Sequence, residues 1–174
     1  RSPGFPAGAA TSPFVTERDM DPNGPCRTYT NLATTQFICG IEWDTWLMID
    51  AFVTPADTVI EFGARFGTSS CALAAATNNS GRVVSVDVDR RIHKALLMNR
   101  DTQQCNVNVV MGSVSEKPIM IDPAPNNGYS LQSKGAVNPS VAVPHLRLAQ
   151  VERMLGIKFN AVLIDCEGCI DLIL

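Results

Sequence analysis

An acid, two glycines and a run of hydroxyl side chains fall together in residues 58–70, T-V-I-E-F-G-A-R-F-G-T-S-S. Glu61 sits in a β-branched and aromatic run. Gly63 and Gly67 follow, with Ala64, Arg65 and Phe66 between them, and then Thr68, Ser69 and Ser70. Glycine permits a tight turn and lets backbone come close to a ligand. Thr68 or Ser69 can cap a helix that starts there. Such a strand–loop–helix opening has the chemistry of a nucleotide site, where the ligand lies against the loop backbone. Arg65 occupies the place where these loops usually carry a middle glycine. Its cation could pair with Glu61 or Asp87, hold a ligand carboxylate, or fill the pocket.

Further acids and hydroxyls follow three other apolar runs. Asp87 lies in V-V-S-V-D-V, about twenty residues beyond the loop, where an acid can accept both hydroxyls of a ribose. Alternatively Asp87 or Asp89 caps a helix starting at Arg90, and Asp89 is the better placed for that. Gly112 and Ser113 follow V-N-V-V-M, and Asp165-Cys166-Glu167-Gly168-Cys169 follows F-N-A-V-L-I. No lysine follows the glycine loop, which argues against a triphosphate site of the P-loop kind. Glu61 would repel a pyrophosphate but can receive an ammonium, so S-adenosylmethionine fits better than a dinucleotide. The C-x-x-C spacing of Cys166 and Cys169 lacks a thioredoxin-type context, and no second C-x-x-C pair completes a zinc site. His93 and His145 read as surface or capping residues.

These groups need elements to position them. Period-2 and β-branched runs predict strands at 58–62, 83–88, 107–111 and 159–164. Helical spacing predicts helices at 44–52, 69–76, 90–100 and 146–155, with Gly156 at the C-terminal cap of the last. The order β-α-β-α-β is that of a parallel sheet with helical crossovers. The expected fold is therefore α/β, a Rossmann-like and mainly parallel sheet with flanking helices. Every chemistry-bearing group would then stand at the carboxyl end of a strand, where open α/β sheets bind ligands. Residues 1–40 read as an extended arm and 41–174 as the domain. An irregular, proline- and glycine-rich insert at 118–144 could be a lid, a partner-binding loop or an edge hairpin.

Composition narrows the classes. The 174 residues are 45% hydrophobic and 18% charged, with a net charge of −3. That is a globular composition with no electrostatic case for nucleic acid, and no apolar run reaches the length of a membrane span. The six cysteines are too few for a dense disulfide framework. Those in apolar periodic segments are expected to be buried thiols, while Cys26 and Cys39 could pair in an oxidising compartment. Arg1 in place of a methionine is compatible with a processed organellar or secreted protein, and equally with a start inside a longer sequence. Termination at Leu174, just after a strand, suggests that more chain follows.

Residues 61–69 together with Val86-Asp87 resemble motifs I and II of class I S-adenosylmethionine-dependent methyltransferases. Ile164-Asp165-Cys166-Glu167-Gly168 is similar to the I-D-x-E-G signature of the FkbM-type methyltransferases. The resemblance covers about residues 41–174 and implies an oxygen methyl acceptor. It implies that Gly63, Ala64 and Gly67 line the cofactor's methionine moiety, with Glu61 near by. Asp87 would hold the ribose and Ser113 would lie near the adenine edge. Asp165 and Glu167 would face the methyl-transfer side, where either could orient or deprotonate a hydroxyl. Glu167 and Gly168 could instead shape the turn into the next helix. The family's sheet has further strands after the fourth, so the resemblance also implies an incomplete C-terminal part. A second expectation is a non-catalytic subunit that keeps this fold and meets protein partners through the arm and the 118–144 insert.

Overall fold

The computed structural model describes residues 43–121, 133–134, 143–166 and 169–173. Among the described residues the elements are, in order, α1 (Trp43–Phe52), β1 (Val59–Phe62), α2 (Thr68–Ala76), β2 (Val83–Asp87), α3 (His93–Thr102), β3 (Val107–Met111), β4 (Ser113–Val114), β5 (Met120–Ile121), β6 (Ser133–Lys134), β7 (His145–Leu146), α4 (Leu148–Leu155), β8 (Ala161–Ile164) and α5 (Ile170–Ile173). The four long strands form one sheet in the order β3-β2-β1-β8, and every pairing in it is parallel. This is the α/β Rossmann-like architecture.

Strand alternation sorts the core into two layers. Val59 and Val83 pack with Trp46 and Ile49 of α1, Leu73 of α2, and Ala95 and Leu96 of α3. Ile60, Phe62, Val84 and Val86 pack with Val114 and with Val151 of α4. The chain runs outward from β1 to β3 and then returns to the other side of β1 as β8. The switch in strand order therefore lies between β1 and β8, where open α/β sheets form their ligand crevice.

Element ends differ from expectation where local polar chemistry intervenes. Helix α3 starts at His93, because Asp89 holds residues 89–92 in a turn. The Asp89 carboxylate accepts the Arg91 N–H at 2.9 Å and pairs with the Arg91 guanidinium. Helix α4 buries Val151 but leaves Leu148 and Leu155 partly exposed, and Gly156 takes the expected left-handed cap. In α1, Trp46 and Ile49 are buried, while Phe52 is 80% exposed. Strands β5 and β6, within the 118–144 insert, pair antiparallel, and β7 adds a short parallel pairing to β4. The proposed arm at 1–40 lies outside the described residues. No helix among the described residues is long and apolar enough to cross a membrane.

The cysteines correct one expectation. Cys71 and Cys105 are buried as anticipated, but they are joined in a disulfide with Cα atoms 5.3 Å apart. The segment after α3 returns across the N-terminal part of α2, which brings the two residues together. Cys166 and Cys169 stand near each other after β8, with Cα atoms 5.6 Å apart. Cys26 and Cys39 lie outside the described residues. The Cys71–Cys105 bridge ties α2 to the start of β3 across a separation of 34 residues. Replacing both by alanine is expected to lower the unfolding free energy by about 2–4 kcal/mol, measured by urea titration under non-reducing conditions.

Candidate functional site

The site forms where β1, β2, β3 and β8 end. The loop after β1 is fastened to β2: the Gly63 and Ala64 N–H groups donate to the Val86 carbonyl at 3.0 and 3.2 Å. Its far side is closed by the Gly67 N–H donating to the Ala64 carbonyl at 2.8 Å. From α3, the Asn99 side-chain amide donates to the Phe66 carbonyl at 2.9 Å. Gly63 and Gly67 adopt φ values of +93° and +83°, where side chains are disfavoured. A Cβ on Gly63 would run into the Asp165 backbone carbonyl, and one on Gly67 would lie 2.8 Å from Leu96 Cδ1. Both glycines therefore serve close packing of the loop against its neighbours.

Glu61 is fully buried beneath this loop, with 0% exposure. Alternation from Val59 turns Glu61 toward the layer occupied by α1–α3, and the parallel register places Ser85 of β2 directly beside it. The Ser69 hydroxyl donates to Glu61 Oε1, and the Ser70 and Ser85 hydroxyls donate to Oε2, each at 2.5 Å. Burial pushes the Glu61 carboxyl above its usual range, against the pull of the three serine donors, and nearby Asp87 adds to the rise. Its oxygens are engaged by protein donors, so Glu61 supports the loop from below rather than meeting an ammonium directly. The same contacts overturn the expectation that Thr68 or Ser69 caps α2. Gly67 holds the N-cap position without a side-chain bond, because Ser69 turns inward to the carboxylate.

Asp87, 9% exposed, joins the glycine loop to the end of β2. Its Oδ2 accepts the Arg65 N–H at 2.7 Å and its Oδ1 accepts the Asp89 N–H at 2.8 Å. Burial raises the Asp87 carboxyl, opposed by these two backbone donors. Asp87 does not cap α3, whose N-cap is Ile92. Each carboxylate oxygen has capacity for one more donor, which a vicinal diol could supply. His93 Nε2 lies 3.0 Å from the Asp87 carbonyl oxygen, on the buried side. The Gly112 N–H donates to that same carbonyl at 2.9 Å, joining the ends of β2 and β3.

Arg65 holds φ +45°, a left-handed conformation uncommon for a side-chain-bearing residue. Its backbone N–H serves Asp87, and its guanidinium carbon stands 4.8 Å from the centre of the Phe66 ring. Ser113 is buried at the start of β4, and its N–H donates to the Pro144 carbonyl at 2.8 Å. Asp165 is exposed at the end of β8, with its N–H donating to the Phe62 carbonyl at 2.9 Å. Glu167 lies outside the described residues.

The structure thus brings Gly63, Ala64, Asp87 and Asp165 together at the carboxyl ends of β1, β2 and β8, with Glu61 buried within β1 and Ser113 buried at the start of β4. Ser69, Ser70 and Ser85 were missed as site residues. For Ser85 the alternation of V-I-E-F and V-V-S-V offers a partial signal, since in the paired strands Glu61 and Ser85 share a face, while nothing local marks Ser69 and Ser70. The chain matches no protein-family model and no curated protein.

Proposed function

We propose that this chain is a methyltransferase-like domain of the FkbM type, binding S-adenosylmethionine and transferring its methyl group to an oxygen acceptor. The observation that carries this reading is the bond from the Arg65 N–H to Asp87, which fixes the diol-accepting acid to the glycine loop at the switch point of the sheet. The bound donor would supply an electrophilic methyl group. Gly63, Ala64 and Gly67 offer it a close backbone surface, and Asp87 offers two acceptor oxygens to its ribose. Asp165, exposed at the end of β8, would orient or deprotonate an acceptor hydroxyl.

Isothermal calorimetry with S-adenosylmethionine tests the reading. Asp87→Ala is expected to weaken binding roughly 10- to 100-fold, the worth of charge-assisted hydrogen bonds to a ribose. Asp87→Asn, which keeps the side chain's shape, should weaken it by a smaller factor. Absence of heat with the unaltered, folded chain would sink the proposal.

A second reading is a non-catalytic subunit of a larger assembly. Outward-facing apolar side chains favour it: Phe52 on α1, and Val162, 57% exposed on β8 at the end of the described sheet. Light scattering separates the two. A monomer that binds S-adenosylmethionine supports the first reading, and a self-associating chain that ignores it supports the second.

A further inference from the structure

The turn between α2 and β2 carries Asn78-Asn79-Ser80-Gly81. Its first three residues match N-x-[ST], the acceptor triplet of N-linked glycosylation. No other triplet in the sequence matches with a permitted middle residue, since Asn138-Pro139-Ser140 has proline there. A three-letter match is weak by itself, but the structure adds to it. Asn78 and Ser80 are both exposed. The Asn78 side-chain amide makes no hydrogen bond among the described residues, whereas that of its neighbour is fully committed. Asn79 donates to the Gln104 carbonyl at 3.0 Å and accepts the Asn106 N–H at 2.6 Å. The turn is thus pinned through Asn79, and Asn78 Nδ2 stays available. The buried Cys71–Cys105 bridge is an independent sign. Such bridges form and persist in oxidising compartments, where secreted chains also receive their asparagine-linked sugars. The pairings of the main sheet are all parallel, so this turn lies at the amino ends of the strands, away from the candidate site at their carboxyl ends.

We propose that Asn78 is a site of N-linked glycosylation, the donor being an oligosaccharide carried on a lipid pyrophosphate. Asn78 Nδ2 forms a bond to the anomeric carbon of the first sugar. The bond from that carbon to the pyrophosphate oxygen breaks, and the lipid pyrophosphate leaves with its electron pair. One amide proton passes to a base of the transferring enzyme. The Ser80 hydroxyl is the second element of the acceptor triplet. Transfer acts on the chain before the turn closes, so the 3.1 Å bond from Arg82 Nε to that hydroxyl does not compete with it. Once the protein folds, an exposed Asn78 accommodates the sugar without breaking any bond of the turn. The glycan would mark this pole of the fold as solvent-facing and leave the opposite pole open to ligands.

The test is mass spectrometry of the protein isolated from its natural source. After reduction, trypsin releases residues 66–82, in which Asn78 and Asn79 are the only asparagines. This peptide should carry a sugar on Asn78, which peptide N-glycosidase removes, leaving aspartate in its place. The 174-residue chain, expressed behind a secretion signal in cultured animal cells, should show a gel shift that the same enzyme abolishes. Asn78→Gln and Ser80→Ala should each abolish the shift, and Ser80→Thr, which keeps the hydroxyl, should retain it. Cells and medium are both analysed, so a variant held back by poor folding still reports. A sugar-free 66–82 peptide from the source would overturn the proposal, as would a shift that survives Asn78→Gln. No methyl donor enters the measurement, so its outcome is separate from that of the calorimetry.

Discussion

Glu61→Ala is expected to lower the unfolding free energy by about 3–5 kcal/mol, a large share of the ~5–15 kcal/mol that holds a domain folded. The substitution removes a carboxylate with no exposed surface and leaves the hydroxyls of Ser69, Ser70 and Ser85 without their acceptor. Buried donors that lose their partner bear the full desolvation cost, and the vacated volume adds a cavity term. Glu61→Gln keeps the shape and one acceptor oxygen, so its loss should be roughly half as large. The two proteins should also differ in pH dependence. Burial raises the folded-state pKa of Glu61 above its unfolded value. A group shifted that way contributes stability that is complete below the unfolded pKa and is lost as pH rises through the folded one. The wild-type advantage over Glu61→Gln is therefore greatest in acid and shrinks toward neutral pH. Thermal melts of both proteins between about pH 4 and 8 measure it. An advantage that grows with pH would show that the serine donors outweigh burial.

Gly63→Ala should come close to that effect, at roughly 3–5 kcal/mol, for a steric rather than an electrostatic reason. The left-handed φ of +93° strains any side chain by ~1–2 kcal/mol. The new methyl group also has to displace the Asp165 carbonyl, which is backbone and cannot rotate away. Relieving that overlap means separating the ends of β1 and β8, where the Asp165 N–H bonds the Phe62 carbonyl. Even protein that remains folded should then have distorted strand ends, and on the proposed reading its S-adenosylmethionine binding should be lost. Gly67→Ala meets only the tip of Leu96, a flexible side chain, and should cost less. Urea unfolding of the two variants side by side checks the order. Equal losses would mean that the φ strain alone decides.

The order of elements along the chain and the parallel direction of the sheet were legible because β-branched runs alternate with helical spacing, and the four long strands lie within a residue or two of their expected ends. Helix faces were less legible. The spacing of Leu148, Val151 and Leu155 marks one stripe, yet only Val151 meets the second core layer, since the stripe is wider than its contact with the sheet. At the site, the placement of Asp87 beside the loop was readable from its distance to it. The role of Glu61 was not, because its partners come from α2 and β2 and meet only when the sheet forms. The cysteine pairing was hidden for the same reason. Apolar periodicity places Cys71 in the core, but no local pattern reveals that the segment before β3 crosses α2.

The pairing of Glu61 with Ser85 also acts as a lock on strand alignment. Because β1 and β2 are buried on both faces, a slip between their Val- and Ile-rich runs would change the buried apolar area little. Here a shift of one residue would set Glu61 beside Val84 or Val86 and remove one of its three hydroxyl donors. The sheet thus carries, at its centre, a polar mark that distinguishes the correct alignment of β1 on β2 from every near miss, and the hydrophobic runs on their own do not provide one.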